Sequence, residues 1–354
     1  MKKTAIALAL FGALNGGAWA QSAVQVYGNL DIGLIKRSGN SLGIGKRGHN
    51  TLGLRGSEEL AGGWRALYQI EIHHEPDSGL QENRGQGQPR ALFQGQSRVG
   101  LQGDFGTLRF GRGLTPLQEL SMAFEPFHGI PSPSGFQSEL MVAGASSDPL
   151  GLPGNAANRF SNAVFYNSPE GMGFQLNVSI GTREANGNAA VIGRGSALAP
   201  QYPANARSPV KPYSIASTYK NGPVAMLLAM ERNALQHQVQ AIAGYIWISP
   251  ETKLMASLSR HDQSASSYSH YHTQAWVIGA NHTLGASKVL MGYAQKHSTG
   301  MPRVKQFSLG YEYSLSKRTY LYADLSKRLG AALAPAPATS TKTSSSALGV
   351  NHSF

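Results

Sequence analysis

The residues most able to act on a solute in this 354-residue sequence are arginines at alternating positions. Arg55, Arg65, Arg109 and Arg159 each follow or precede an apolar partner, Leu54, Ala66, Phe110 and Phe160. A row of fixed guanidinium groups attracts anions and makes no bonds. Glu119 and Glu125 fall between Arg109 and Arg159 in the chain and are the carboxylates that would oppose the row across a gap. A local role competes for both acids, capping or pinning the backbone N–H groups of their own segment.

Covalent chemistry finds little support. His73-His74-Glu75 has metal-ligand residue types, but neighbours in a strand point to opposite faces, so the run reads as a rim feature and no metal is expected there. The eleven histidines are scattered over loops and strand ends, with no third group orienting any of them. The segment GRGLTP lacks the Lys-Ser/Thr and the helix of a phosphate loop. Cysteine is absent, which removes disulfides and thiolate metal sites. No catalytic residue, cofactor or enzymatic activity is expected.

The elements that must position the arginines show a period of two. In VQVYGNLDIGLIK, Val24, Val26, Leu30, Ile32 and Leu34 alternate with Gln25, Tyr27, Asn29 and Asp31. In GWRALYQIEIHHE, Trp64, Ala66, Tyr68, Ile70 and Ile72 take one face, and Arg65, Gln69, Glu71 and His73 the other. Such alternation means a sheet with one apolar and one polar face. The pattern predicts sixteen strands, near 24–36, 48–60, 63–75, 89–103, 106–114, 157–168, 171–182, 211–221, 222–233, 236–248, 251–262, 271–284, 286–297, 303–315, 317–329 and 344–354. Their length suits tilted membrane strands, about 9–11 residues, better than the globular average of about 5–6. Tight turns such as Asp104-Phe105-Gly106 and Asn221-Gly222 alternate with long connections at 37–47, 76–88, 114–156, 183–210 and 330–343. One end of the structure therefore carries turns and the other loops, the polarity of outer-membrane barrels. The competing soluble sandwich or propeller would place the same large polar face at the surface.

The segment 114–157 breaks the alternation. It opens with LTPLQELSMAFEPFHG, which reads as a short folded piece inside a connection too long for an ordinary loop. It is predicted to fold into the tube. The low-complexity tract at 330–346 suits an exposed loop tip.

Residues 1–20 are expected to be a signal peptide: basic Lys2 and Lys3, an apolar run to Leu14, and Ala18-Trp19-Ala20 before a cut at Ala20/Gln21. The sequence carries +12 overall, and +10 without those two lysines. For an exported chain, this points to anionic solutes or an anionic membrane surface rather than nucleic acid.

Several segments together resemble the trimeric general porins of the Gram-negative outer membrane, β-proteobacterial type. VQVYGNLDIGL is similar to that family's first strand, and TLGLRGSEELAGGWRALYQIE to its most recognisable hairpin. VGLQGDFGTLRFGR, the Thr-Pro-Leu entry at 115–117, RFSNAVFYNSP, YEYSLSKRTYLYADLS and GVNHSF follow in the family's order. The resemblance implies a 16-stranded homotrimeric barrel over 21–354 with the third external loop, 114–157, folded into each pore. It implies diffusion of small hydrophilic solutes and inorganic anions, and contact with outer-membrane lipid and lipopolysaccharide. The terminal Phe354, with Val350 and Leu348 on the same phase, resembles the signal read by the barrel-assembly machinery. The chain departs from the family in two places. The loop carries Glu125-Pro126-Phe127-His128-Gly129 where an Asp-Pro-Phe-Gly-like turn is usual, and an arginine expected near Gly95 is replaced by one at Arg98, whose facing stays open. Arg112 falls on the outward phase, where a subunit interface would lie. The pattern thus points to an anion-preferring general porin, with a substrate-selective porin and a non-conducting adhesin or receptor barrel as alternatives.

Overall fold

A computed structural model describes residues 23–82, 91–131, 133–151, 157–185, 187, 191–192, 200–264, 272–330 and 342–354. The expected leader and its cut lie outside these residues, as does most of the low-complexity tract.

Sixteen long strands form, one at each expected place. They are β1 (Ala23–Arg37), β2 (Thr51–Glu59), β3 (Arg65–His73), β4 (Gln96–Gly103), β5 (Gly106–Leu114), β6 (Arg159–Asn167), β7 (Phe174–Gly181) and β8 (Tyr213–Asn221). β9 (Val224–Arg232), β10 (Gln238–Trp247), β11 (Thr252–Asp262), β12 (His272–Leu284), β13 (Ser287–Ser298), β14 (Val304–Ser314), β15 (Thr319–Leu329) and β16 (Lys342–Ser353) complete them. Each pairs antiparallel with its sequence neighbour. β16 returns to β1, with Ile32 opposite Val350 and Leu34 opposite Leu348. The ring therefore leaves no sheet edge.

The apolar phase points outward. On β14, Phe307, Leu309, Tyr311 and Tyr313 are exposed, while Gln306 and Ser308 are buried on the inner side. Outward residues as open as Val24 at 64% and Leu258 at 60% make a continuous apolar belt, which rules out the soluble sandwich. No described helix is long and apolar enough to cross a membrane.

The inner wall is not uniform. Over β8–β13 it carries small apolar residues: Ala216, Ala225, Leu227, Ala229, Val239, Ala241, Ala243, Val277, Leu290 and Ala294. The 114–157 loop seats its own apolar residues there, Leu117, Phe124, Phe127, Phe136, Leu140, Met141 and Val142, all buried. Two glycines make the fit possible. Gly279 and Gly292 face each other across β12 and β13. A Cβ on Gly279 would lie 2.5 Å from Pro126, and one on Gly292 would lie 2.5 Å from Phe136.

Polar side chains of the wall hold the loop backbone. Ser214 accepts from Leu117 N at 3.2 Å, and Lys253 Nζ donates to the Ala123 carbonyl at 2.8 Å. Gln306 Nε2 lies 3.1 Å from the carbonyls of Pro133 and Gly135. Inside the loop, helix α1 (Pro116–Ser121) starts at the N-cap Thr115, whose side chain accepts from Gln118 N.

A second segment turns inward. β1 pairs with β2 only up to Asn29 and Thr51, and then with a three-residue strand at Gly43–Gly45. Residues 46–50 bulge between them. Asp31 Oδ1 accepts from Arg47 N at 2.7 Å, and Arg47 reaches Asp324 at 3.2 Å and Glu312 at 2.6 Å. Its guanidinium lies 4.2 Å from the Tyr322 ring centroid. The expected strand at 48–60 therefore begins at Thr51, because the preceding residues are drawn off the wall by this network.

Phe354 extends the ladder that closes the ring. Phe354 N donates to Gly28 O at 3.1 Å, Gly28 N donates to Phe354 O at 3.2 Å, and the Phe354 ring fills the space a Cβ on Gly28 would need. Deleting Phe354 is expected to lower the amount of heat-modifiable barrel recovered from outer membranes several-fold, with aggregated protein left behind. Undiminished recovery would contradict this.

Candidate functional site: an arginine face opposite the inserted loop

With the loop docked on β8–β14, the open side of the lumen lies against β1–β5. Gln25, Arg55, Gln69, Arg98, Arg109 and Glu119 line one cavity there. Their order follows from register: Gln25 pairs with Arg55, Arg55 with Gln69, Gln69 with Arg98, and Arg98 with Gly111. Arg98, whose facing was open, thus belongs to the inner row. Glu119 on α1 faces this wall, and its charge is felt by Arg98 and Arg109.

Each arginine of the row is held by a neutral amide. Arg55 Nε donates to Gln25 Oε1 at 2.9 Å, and Arg98 Nε donates to Gln69 Oε1 at 3.0 Å. Arg109 Nη2 donates to Asn167 Oδ1. Arg55 also lies over the Tyr27 ring, 4.9 Å from its centroid. Amide partners fix where a guanidinium points without cancelling its charge. No ion pair to these three arginines occurs among the described residues. The face carries three uncompensated cations opposite one carboxylate.

The other expected residues lie elsewhere. Arg65 has the inner phase but sits beside the turn after β2, half-exposed and 2.5 Å from Glu59. It is neutralised at the rim. Arg159 is almost wholly buried: its Nε donates to the Gly95 carbonyl at 2.6 Å, its Nη1 to Asn158 Oδ1 at 2.7 Å, and its Nη2 lies 3.9 Å from Glu71. It ties the start of β6 to the approach to β4 and leaves no free face toward the cavity. Glu125 is fully buried and accepts from the backbone N–H groups of Phe127, Gly129 and Phe136 at 3.1, 2.7 and 2.9 Å. Burial pushes its carboxyl up to about 7 against the pull of these donors. Its role is the local one, clamping the loop, and of the two expected carboxylates only Glu119 lines the cavity.

Arg112 also departs from expectation. The register shifts between Gly111 and Gly113, and Gly111 has φ 126°. Beyond this bulge Arg112 donates to the Gln94 carbonyl at 3.0 Å and to Ser161 Oγ at 2.6 Å. It braces neighbouring backbone rather than facing another subunit.

Two lysines at the loop's seat, Lys253 and Lys288, were not among the expected site residues. Lys288 Nζ meets His128 Nε2 at 2.7 Å, and Asn281 Nδ2 lies 3.2 Å from the same nitrogen. Loss of water around the His128 ring, and then the charges of Lys288, Lys253 and Arg47, hold its pKa below the usual histidine range. The ring stays neutral and accepts from Lys288. Both lysines sit on the inner phase of ordinary alternating strands, so only their spacing from the loop, invisible in sequence, marks them.

A family model described as Gram-negative porin matches residues 4–328. The chain is a Gram-negative porin. Outer membrane porin protein 32 of Delftia acidovorans is 29% identical over 352 residues, covering 92% of this chain and 89% of that one. An outer membrane porin protein of Bordetella pertussis is 25% identical over 387 residues, covering 91% and 93%. Among solved structures, the anion-selective porin from Comamonas acidovorans superposes with a TM-score of 0.73 at 21% identity, covering 94% of this chain and all of that one. The in-vitro folded trimer form of OmpT of Vibrio cholerae superposes with a TM-score of 0.64 at 14% identity, covering 94% and 99%. This porin is accordingly an outer-membrane channel and not an enzyme.

Proposed function

We propose that this porin passes small hydrophilic solutes by general diffusion with a preference for anions, and that Arg55, Arg98 and Arg109 set the preference. The observation that carries the reading is that all three guanidinium groups are oriented by Gln25, Gln69 and Asn167 rather than by carboxylates. The Comamonas acidovorans porin of similar fold is anion-selective, which agrees with it. Charge at a constriction acts at short range, whereas charge on outer loops is screened beyond about 8–10 Å at ordinary ionic strength. The arginine face therefore outweighs rim residues such as Lys342 at the start of β16, and the anions passed are inorganic ions and small organic acids.

The exposed apolar residues Leu52, Leu54, Val99 and Leu101 on β2 and β4 suit a self-contact, and the porin is proposed to be a homotrimer packed through this side. The trimer form of the OmpT relative supports this. Native mass of the detergent-extracted protein should equal three chains; a single chain at every concentration would exclude it. The leader at 1–20 is proposed to be removed on export, leaving the barrel over 21–354.

Selectivity is tested by replacing Arg98 and Arg109 together with Gln. Two unit charges about 8 Å from a permeating ion in water attract an anion by on the order of 1 kcal/mol and repel a cation by as much, so their loss should lower the anion-to-cation ratio roughly thirty-fold before screening by salt. The zero-current potential in a salt gradient should shift toward the cation value, while Arg65→Gln should leave it in place. An unmoved potential in the double variant would show that the arginines are compensated or off the ion path.

A further inference from the structure

Above the arginine face, three segments converge on one small cluster. His49 lies in the inward bulge, His73 ends β3 on the inner phase, and Glu82 lies in the following loop. Their ligand atoms all fall within 4.8 Å of one another. We propose that His49, His73 and Glu82 form a binding site for a divalent transition-metal ion of the zinc class.

The donor set suits such an ion. Two imidazoles and one carboxylate, with a fourth position left to water or solute, is the composition of open three-ligand zinc sites. His73 Nδ1 lies 3.4 Å from Glu82 Oε2, and His49 Nδ1 lies 3.8 Å from Glu82 Oε1. Ligands bonded at 2.0–2.1 Å around a tetrahedral ion sit about 3.3 Å apart, so small side-chain rotations close the site. His73 and Glu82 are 2% and 5% exposed at the side chain, which shields an ion from competing water.

The surroundings are also those of a metal site. His73 Nε2 lies 3.0 Å from Glu71 Oε1, an arrangement in which the carboxylate accepts a hydrogen bond from Nε2–H and leaves Nδ1 as the ligand atom. Glu71 is fixed in turn by the Tyr27 hydroxyl at 3.0 Å and by Arg159 at 3.9 Å. Lys46 Nζ lies 2.7 Å from Glu82 Oε1, where an ion would displace it, but Glu75 lies 3.0 Å from the same ammonium and retains it. The adjacent run His73-His74-Glu75 is not the site. Only His73 of that run contributes, and the fold brings the other two ligands from segments 24 residues before and 9 after it.

By register, His73 stands four residues above Gln69 on β3, about 13 Å at about 3.3 Å per residue. An ion there would staple the bulge, the wall and the loop together on the external side of the arginine face. The test is isothermal titration of Zn2+ into the full chain, purified in detergent and stripped with chelator, in excess Mg2+. One zinc per chain is expected. His49→Gln and Glu82→Gln should each weaken uptake at least ten-fold, and His297→Gln, on the outer phase of β13, should not. Both test positions lie outside the barrel strands, and either variant alone decides should the other fail to form a heat-modifiable barrel. Absence of saturable binding by the unaltered protein, or unchanged binding in either variant, overturns the proposal.

Discussion

A loop held inside a water-filled tube must exchange its hydration for fixed partners, and the contact between the 114–157 loop and the β8–β14 wall supplies them. Apolar side chains of the loop fill a surface made of alanine, valine, leucine and glycine, so their burial gives the hydrophobic term. Carbonyls and N–H groups that would otherwise be stranded find Ser214, Lys253, Ser259 and Gln306 on the wall, or Glu125 within the loop. Without this seat the loop would have no reason to stay in the lumen, and the lumen would have no constriction.

The seat also decides where the channel runs. Filling one side of the tube leaves the water against β1–β5, where the side chains are long and polar rather than small. The inward bulge at 46–50 adds to that side, but its Arg47 guanidinium is tied to Asp324 and Glu312 and adds no free charge. Counting arginines on the inner phase is thus a poor measure of the field. Arg47, Arg65 and Arg159 are spent on carboxylates or carbonyls, and Arg55, Arg98 and Arg109 are not. The difference lies in the partner: Glu and Asp for the first group and for Arg159 also backbone, Gln and Asn for the second.

The strands were legible because the period of two is written into nearly every one, and membrane strands are long enough for it to be seen. The loop's insertion was legible from its length and its Thr-Pro-Leu start. Its seat could have been found as well: in VAMLLAMER and QVQAIAGYIW the inner phase is Ala225, Leu227, Ala229, Val239, Ala241 and Ala243, which no wet lumen requires. Apolar residues on both faces of β9 and β10 are the trace of a covered inner wall. The pore charges were harder to read. A strand's phase says that Arg159 points inward, but not that Gly95, Asn158 and Glu71 surround it. The bulge beyond Gly111 reverses the simple assignment of Arg112. Arg98 required the register of β3 with β4, which one sequence does not state.

On the β2–β5 wall opposite Glu119, the uncompensated guanidinium groups are proposed to gather anions. Anomalous diffraction from crystals of this porin soaked in bromide tests it directly. Bromide is expected within contact distance of Arg55, Arg98 and Arg109, at higher occupancy than beside Arg47, Arg65 or Arg159. Bromide confined to the external loops, with none on the arginine face, would contradict it.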